Sequence, residues 1–142
     1  MRQASCICSD RNNACKVNQM PSIPVIAIID DDEDVRKATE SLIRSLGYVA
    51  RTYASASDYL KPSQQKSADC LITDVQMPDM TGIELYQRII ATGSKIPVIF
   101  VTAFPTEALR NRALAAGACG FLSKPCDGAT IIRSLEEALR GH

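Results

Sequence analysis

The chain has 142 residues, enough for one domain that buries roughly two-thirds of the surface its unfolded form would expose. Sixteen basic and sixteen acidic side chains give a formal net charge of zero, so no basic excess points to nucleic acid. Every apolar run is far shorter than the ~20 residues of a membrane-spanning helix, and no segment has the pattern of a signal peptide. We therefore expect a cytoplasmic protein that binds neither nucleic acid nor membranes.

The start of the chain differs from the rest. Residues 1–22 lack a hydrophobic period and are rich in polar residues and cysteine, which predicts a disordered tail before a folded domain at 23–142. A metal site in the tail would need a fourth ligand, and the only histidine is the last residue, so we favour an unstructured tail. We interpret Cys70 as a small buried residue and Cys126 as a bystander rather than a reactive thiol. The tail cysteines are Cys6, Cys8 and Cys15.

After the tail, short apolar runs alternate with stretches of helical period. The apolar runs predict strands at 25–29, 48–53, 70–73, 97–101 and 120–122. The helical stretches predict a helix that starts within 30–34 and ends before Gly47, and further helices at 57–60, 82–91, 106–116 and 127–139. Five strand–helix alternations predict an α/β fold, a parallel sheet with helices on both faces. In the helix at 82–91 we expect an apolar face of Ile83, Leu85, Ile89 and Ile90.

Polar side chains follow four of the predicted strands. Asp30 and Asp31 follow the first, Asp74 the third, Thr102 the fourth and Lys124 the fifth. Because the carboxyl ends of parallel strands meet at one sheet edge, these side chains should lie together. Clustered carboxylates are costly unless a cation neutralises them, and a site of oxygen ligands alone suits Mg²⁺. A carboxylate beside that ion can attack phosphorus, while the hydroxyl, the ammonium and nearby backbone N–H groups can bind phosphoryl oxygens.

Four sequence runs resemble the receiver domain of two-component response regulators, and nitrogen-fixation-type regulators in particular. They are IIDDDEDVR at 28–36, TDVQMPDMTG at 73–82, VTA at 101–103 and SKP at 123–125. The resemblance covers residues 25–139, and four motifs in order at strand ends are far more specific than any one alone. It implies a doubly wound, flavodoxin-like sheet of five parallel strands in the order 2-1-3-4-5.

The resemblance also implies a chemistry for the acidic residues. Asp74 would accept a phosphoryl group from the phosphohistidine of a sensor histidine kinase or a histidine phosphotransfer protein. Asp30, Asp31 and Asp74 would bind Mg²⁺, with the backbone carbonyl of Gln76 as a further ligand. We therefore expect a phosphoacceptor regulator that catalyses only its own phosphorylation and dephosphorylation.

The remaining implied roles concern the switch. Thr102 and Lys124 would hold the phosphoryl group, with a cis bond between Lys124 and Pro125. Phe121 would be the switch aromatic that turns inward as Thr102 moves, which alters the face of the fourth helix, fifth strand and fifth helix for an output protein. The side chains of Gln76 and Phe104 would flank the path of the hydrolytic water, and the bulky Phe104 is expected to hinder that water and so to prolong the life of the phosphoryl group.

Two alternatives stay beside this interpretation. A phosphohydrolase with an Asp nucleophile would need Asp-x-Asp-x-Thr or Val after the first strand, but the last place is Asp34 and no cap domain is visible. The chain could also be the receiver half of a transcription factor, although no recognition helix follows the last predicted helix. We favour a single-domain receiver. The kinase, the output protein and the oligomeric state, including a phosphorylation-dependent homodimer, are open.

Overall fold

The computed structural model describes residues 23–61, 68–125 and 127–140. Within these ranges five strands alternate with five helices, as the sequence predicts. The strands are β1 (Val25–Ile29), β2 (Val49–Tyr53), β3 (Cys70–Asp74), β4 (Val98–Thr102) and β5 (Gly120–Ser123). The helices are α1 (Glu33–Ser45), α2 (Ala56–Leu60), α3 (Gly82–Ala91), α4 (Glu107–Ala115) and α5 (Gly128–Arg140). The predicted tail at 1–22 and Cys126 lie outside the described residues.

The five strands form one parallel sheet in the order β2-β1-β3-β4-β5, which confirms the predicted order. β1 pairs with β2 on one side and with β3 on the other, so the chain reverses its direction of winding at this strand. In such sheets the crevice at the carboxyl ends beside the reversal point is the usual ligand site. The register places the carboxyl ends of β3, β4 and β5 side by side, because Asp74 lies opposite Val101 and Thr102 lies opposite Ser123.

Hydrophobic side chains fill both faces of the sheet. One core contains Ile43 of α1 and Leu135 of α5, and the other contains Tyr59 of α2, Leu85 of α3 and Ala113 of α4. Helices α1 and α5 therefore cover one face, and α2, α3 and α4 cover the other. Because both faces are buried, the central strands are continuous apolar runs rather than alternating ones.

Each of the first four helices begins at a side chain that accepts a hydrogen bond from a backbone N–H of the first turn. The capping residues are Asp32, Ser55, Thr81 and Thr106. In α3 the carboxylate of Glu84 bonds back to the backbone N–H of Thr81, which completes a capping box. Gly47 ends the turn after α1 with φ +90°, a left-handed conformation that side chains rarely adopt. The four caps shape the loops at the edge where the strands end, and Gly47 shapes the turn that leads into β2.

The predicted apolar face of α3 is wrong at one residue. Ile89 is buried, but Ile90 is 37% exposed. Successive residues on a helix point about 100° apart, so the stripe that contacts the sheet holds Ile89 and turns its neighbour toward solvent. Among the described helices, none is both long and apolar enough to cross a membrane.

Candidate functional site

The carboxyl ends of β1, β3, β4 and β5 bring four polar side chains together. Asp30 follows β1, Asp74 and Thr102 are the last residues of β3 and β4, and Lys124 follows β5. Asp30, Asp74 and Thr102 are all buried, with at most 7% of their surface exposed. Burial of polar groups costs free energy unless they have partners, so each of these groups needs a hydrogen-bond partner or an opposite charge at this edge.

Lys124 lies between two carboxylates. Its Nζ is 2.8 Å from Oδ2 of Asp30 and 3.1 Å from Oδ2 of Asp74, so one ammonium joins the ends of β1, β3 and β5. Carboxylate oxygens of Asp30, Asp31 and Asp74 lie within 4.8 Å of one another. Three carboxylates and one ammonium leave two negative charges uncompensated, which favours a further cation.

The donor set fits Mg²⁺. It consists of oxygen atoms alone, and Asp31 is exposed, so water molecules can complete the coordination. Oxygens bound to one octahedral Mg²⁺ lie about 2.9 to 4.2 Å apart, which these three carboxylates reach with only small movements. The site can therefore hold a divalent cation beside Asp74.

The two central ionisable groups are both perturbed. Burial raises the pKa of Asp74 above the usual carboxyl value, while the charge of Lys124 opposes that rise and the charge of Asp30 adds to it. Burial alone would lower the pKa of Lys124, but its hydrogen bond to Asp30 and the two neighbouring carboxylates raise that pKa overall. Lys124 is thus a cation at neutral pH. Each further positive charge beside the buried carboxyl of Asp74 favours its ionised form.

Thr102 is held by two residues. Its hydroxyl donates a hydrogen bond of 2.6 Å to Oε1 of Gln76 and accepts one of 3.1 Å from the backbone N–H of Phe104. The backbone N–H of Gln76 points to the other side, toward Oδ1 of Asp74 at 3.3 Å. The family resemblance predicts a metal ligand in the backbone carbonyl of Gln76 and places its side chain beside the path of the hydrolytic water. The bond from Thr102 to this side chain was missed, because an exposed glutamine after a strand carries no signal for a particular partner.

Two further contacts fix the loops around the site. Arg36 of α1 donates from Nη1 to the backbone carbonyl oxygen of Asp30 at 2.7 Å, which ties α1 to the end of β1. Asp79, in the loop after β3, accepts hydrogen bonds from the backbone N–H of Ser57 at 2.8 Å and from its hydroxyl at 2.5 Å. The loop that carries Gln76 is therefore anchored to the start of α2.

The remaining residues with a predicted role lie in β5 and in the loops that follow β4 and β5. Phe121 is partly buried and packs against the core beneath α2, α3 and α4. Phe104 is 72% exposed, so its ring stands at the surface beside the Thr102 loop. The bond between Lys124 and Pro125 is cis. A groove of about 640 Å³ between α1 and α5 opens on Asp30, Asp74 and Lys124 and gives access to the site.

Comparison with known proteins assigns a family to this arrangement. Residues 26–136 match the family described as response regulator receiver domain. The response regulator protein TmoT of Ectopseudomonas mendocina is 34% identical over 116 residues, 82% of this chain and 53% of TmoT. The transcriptional regulatory protein FixJ of Azorhizobium caulinodans is 34% identical over 120 residues, 84% of this chain and 57% of FixJ. The chain thus spans little more than half the length of these relatives.

Solved structures agree in fold. A response regulator receiver protein from Burkholderia phymatum is 40% identical, with a TM-score of 0.72 over 82% of this chain and 95% of that one. The chemotaxis protein CheY4 of Vibrio cholerae is 27% identical, with a TM-score of 0.75 over 83% of this chain and all of that one. Both comparisons cover more than four-fifths of this chain.

Proposed function

This chain belongs to the response regulator receiver family, and we propose that it is a phosphoacceptor switch of a two-component system. Asp74 takes a phosphoryl group from the phosphohistidine of a sensor kinase or a histidine phosphotransfer protein. The observation that carries the proposal is the convergence of Asp74, Lys124 and two further carboxylates at one sheet edge. A buried carboxylate beside a fixed ammonium and a candidate cation site is suited to accept a phosphoryl group.

The transfer is a displacement at phosphorus. A carboxylate oxygen of Asp74 forms the new P–O bond as the P–N bond of the phosphohistidine breaks, and the electron pair of that bond returns to the imidazole nitrogen. Asp30 and Asp31, with Asp74 and the backbone carbonyl of Gln76, would hold Mg²⁺. The bound ion supplies positive charge that offsets the charge of the phosphoryl oxygens.

Lys124 prepares the same site for negative charge. Its ammonium already bonds Asp30 and Asp74, so it needs only a short movement to bind an oxygen of the transferred group. Because the Lys124 side chain is only 16% exposed, little water competes for its ammonium group. Replacement of Lys124 by Met should therefore reduce phosphorylation.

Thr102 and Phe121 connect the modification to a partner. The Thr102 hydroxyl moves to a phosphoryl oxygen, and Phe121 follows into the space that Thr102 leaves. The face made by α4, β5 and α5 then changes and binds or releases an output protein. The protein thus acts by contact with partners, and catalysis is limited to its own phosphorylation and dephosphorylation.

The output could instead lie on the same polypeptide in a transcription regulator. FixJ is named a transcriptional regulatory protein, and this chain covers 57% of it. The intact mass of the protein isolated from its source decides between the two arrangements. A mass well above 15.4 kDa would assign the chain to a longer regulator.

The phosphoacceptor proposal is tested by incubation with Mg²⁺ and acetyl phosphate or phosphoramidate, followed by intact mass spectrometry. We compare the wild type with Asp74→Asn and with Asp58→Asn, a matched change at an α2 carboxylate that pairs only with Lys61 in the described structure. We expect one Mg²⁺-dependent phosphoryl addition in the wild type and in Asp58→Asn, and none in Asp74→Asn. Addition that persists in Asp74→Asn, or turnover of a phosphomonoester without a phosphoprotein, would overturn the proposal.

A further inference from the structure

The hydroxyl of Thr102 is already committed. It donates its proton to Oε1 of Gln76 at 2.6 Å and accepts a hydrogen bond from the backbone N–H of Phe104 at 3.1 Å. A hydroxyl has a single proton, so it can donate only one hydrogen bond at a time. A phosphoryl oxygen can therefore accept a hydrogen bond from Thr102 only if the hydrogen bond to Gln76 breaks.

Gln76 also contacts Asp74. Its backbone N–H lies 3.3 Å from Oδ1 of Asp74, while its side chain reaches Thr102 on the neighbouring strand. A single residue therefore touches both the proposed phosphoacceptor and the proposed switch hydroxyl. Thr102 is fully buried, whereas Gln76 is exposed, so the side chain of Gln76 can turn into solvent when its bond is broken.

On the basis of the function proposed above, we infer that Gln76 is a positioning residue that holds Thr102 in the unphosphorylated arrangement. Its carboxamide oxygen competes with the phosphoryl group for the hydrogen bond that the Thr102 hydroxyl donates. A charged phosphoryl oxygen is a stronger acceptor than a carboxamide oxygen, so phosphorylation of Asp74 wins the competition. Gln76 thereby sets how strongly the unmodified protein resists the switch.

The strength of this resistance follows from the hydrogen bond that is lost. One neutral hydrogen bond, reduced because Gln76 is partly solvated, corresponds to roughly a two- to fivefold change in an equilibrium. Gln76→Met removes the acceptor but keeps the backbone N–H, the backbone carbonyl and the length of the side chain. The variant should therefore reach the active arrangement more readily while its metal ligands stay unchanged.

The test uses beryllofluoride with Mg²⁺, a stable mimic of the phosphoryl group on an aspartate. We measure its affinity for the wild type, Gln76→Met, Thr102→Val and the double variant, with Gln87→Met as the control. Gln87 is an exposed glutamine on α3, so the control makes the same chemical change away from Thr102. We expect Gln76→Met to bind beryllofluoride roughly two- to fivefold more tightly, and Gln87→Met to bind as the wild type does.

Two readouts separate positioning from a merely structural role. The methyl resonance of Thr102 in the free Gln76→Met variant should shift toward its position in the beryllofluoride complex. In the Thr102→Val background, the Gln76→Met change should have no further effect, since the bond between the two side chains is already absent. A structural role would instead lower Mg²⁺ and beryllofluoride affinity together.

If the wild type binds beryllofluoride, unchanged or weaker binding in Gln76→Met would overturn the inference. A gain that persists in the Thr102→Val background would overturn it too. It would also fail if the Gln76 amide donates to Thr102 from Nε2, because that arrangement leaves the Thr102 proton free and predicts no gain. If the wild type neither binds beryllofluoride nor is phosphorylated on Asp74, the proposed function itself fails, and this inference fails with it.

Discussion

Gly82, the first residue of α3, lies directly against the backbone of Asp74. A methyl group at Gly82 would lie well inside the van der Waals contact distance of the carbonyl oxygen of Asp74, and would be 3.2 Å from the carbonyl carbon of Asp74 and from Cγ2 of Thr73. The helix cannot simply retreat, because the backbone N–H of Gly82 donates a 2.8 Å hydrogen bond to the carbonyl of Val75. We therefore expect Gly82→Ala to displace the end of β3.

The expected cost follows from two opposing effects. Alanine is favoured over glycine by about 1 kcal/mol in a helix interior, and by less at a first helical position. Overpacking costs about 1–3 kcal/mol, and the upper end applies because the atoms in the way belong to the backbone and cannot rotate aside. The net loss in free energy of unfolding should be about 2 kcal/mol, which lowers Tm by roughly 6–10 °C in a domain of this size.

The assay is thermal unfolding followed by circular dichroism, with Gly128→Ala as the matched control. Gly128 is the first residue of α5, and a methyl group there would lie 3.5 Å from Cδ1 of Leu42, an ordinary contact. The control should be as stable as the wild type or slightly more so. At a temperature where both variants are folded, only Gly82→Ala should be phosphorylated more slowly. A Gly82→Ala protein with unchanged Tm and unchanged rate would refute the reasoning.

Three other predictions concern single side chains. At mildly alkaline pH, iodoacetamide should modify the exposed Cys119 but not the fully buried Cys70, whose pKa burial raises to about 12; peptide mass spectrometry that finds early modification of Cys70 would contradict this. Phe104→Ala should speed loss of the phosphoryl group severalfold by opening the path of water, and an unchanged rate would count against the expectation. The hydrogen bonds from Ser57 lower the pKa of Asp79. Their contribution to the free energy of unfolding is therefore complete above the usual carboxyl pKa, and it is lost as the pH falls through the lowered pKa. Asp79→Ala should therefore reduce the free energy of unfolding by about 0.5 kcal/mol at neutral pH and by less in strong acid, and denaturant titrations that give equal differences at both pH values would argue against it.

Strands, helices and the positions of the site residues could be predicted because their signals are local. The run at 98–101 is apolar throughout because both faces of β4 are buried, and Gly47 marks the end of α1 through its left-handed backbone. Once the strands are parallel, Asp74 and Thr102 must share an edge. The order of the strands, by contrast, came from the family resemblance, since the direction in which each crossover turns is not written in any one segment.

The features that the sequence did not predict depend on neighbours in space. The rotation of α3 about its axis decides that Ile89 is buried and Ile90 is exposed, and the residue pattern alone does not determine that rotation. The bond from Thr102 to Gln76 joins residues 26 positions apart and depends on the rotamer of an exposed side chain. Such contacts become predictable only when the backbone that carries both residues is placed.

The most direct test of the central claim is to locate the phosphoryl group on the chain. The protein is phosphorylated with a small phosphodonor and Mg²⁺ and then treated with borohydride, which reduces an aspartyl phosphate to homoserine. Peptide mass spectrometry then reads where homoserine has formed. We predict homoserine at position 74 and at no other aspartate, and only in samples that contained both Mg²⁺ and donor. Homoserine at Asp30 or Asp31, or none at position 74 in a protein whose intact mass has gained a phosphoryl group, would contradict the account.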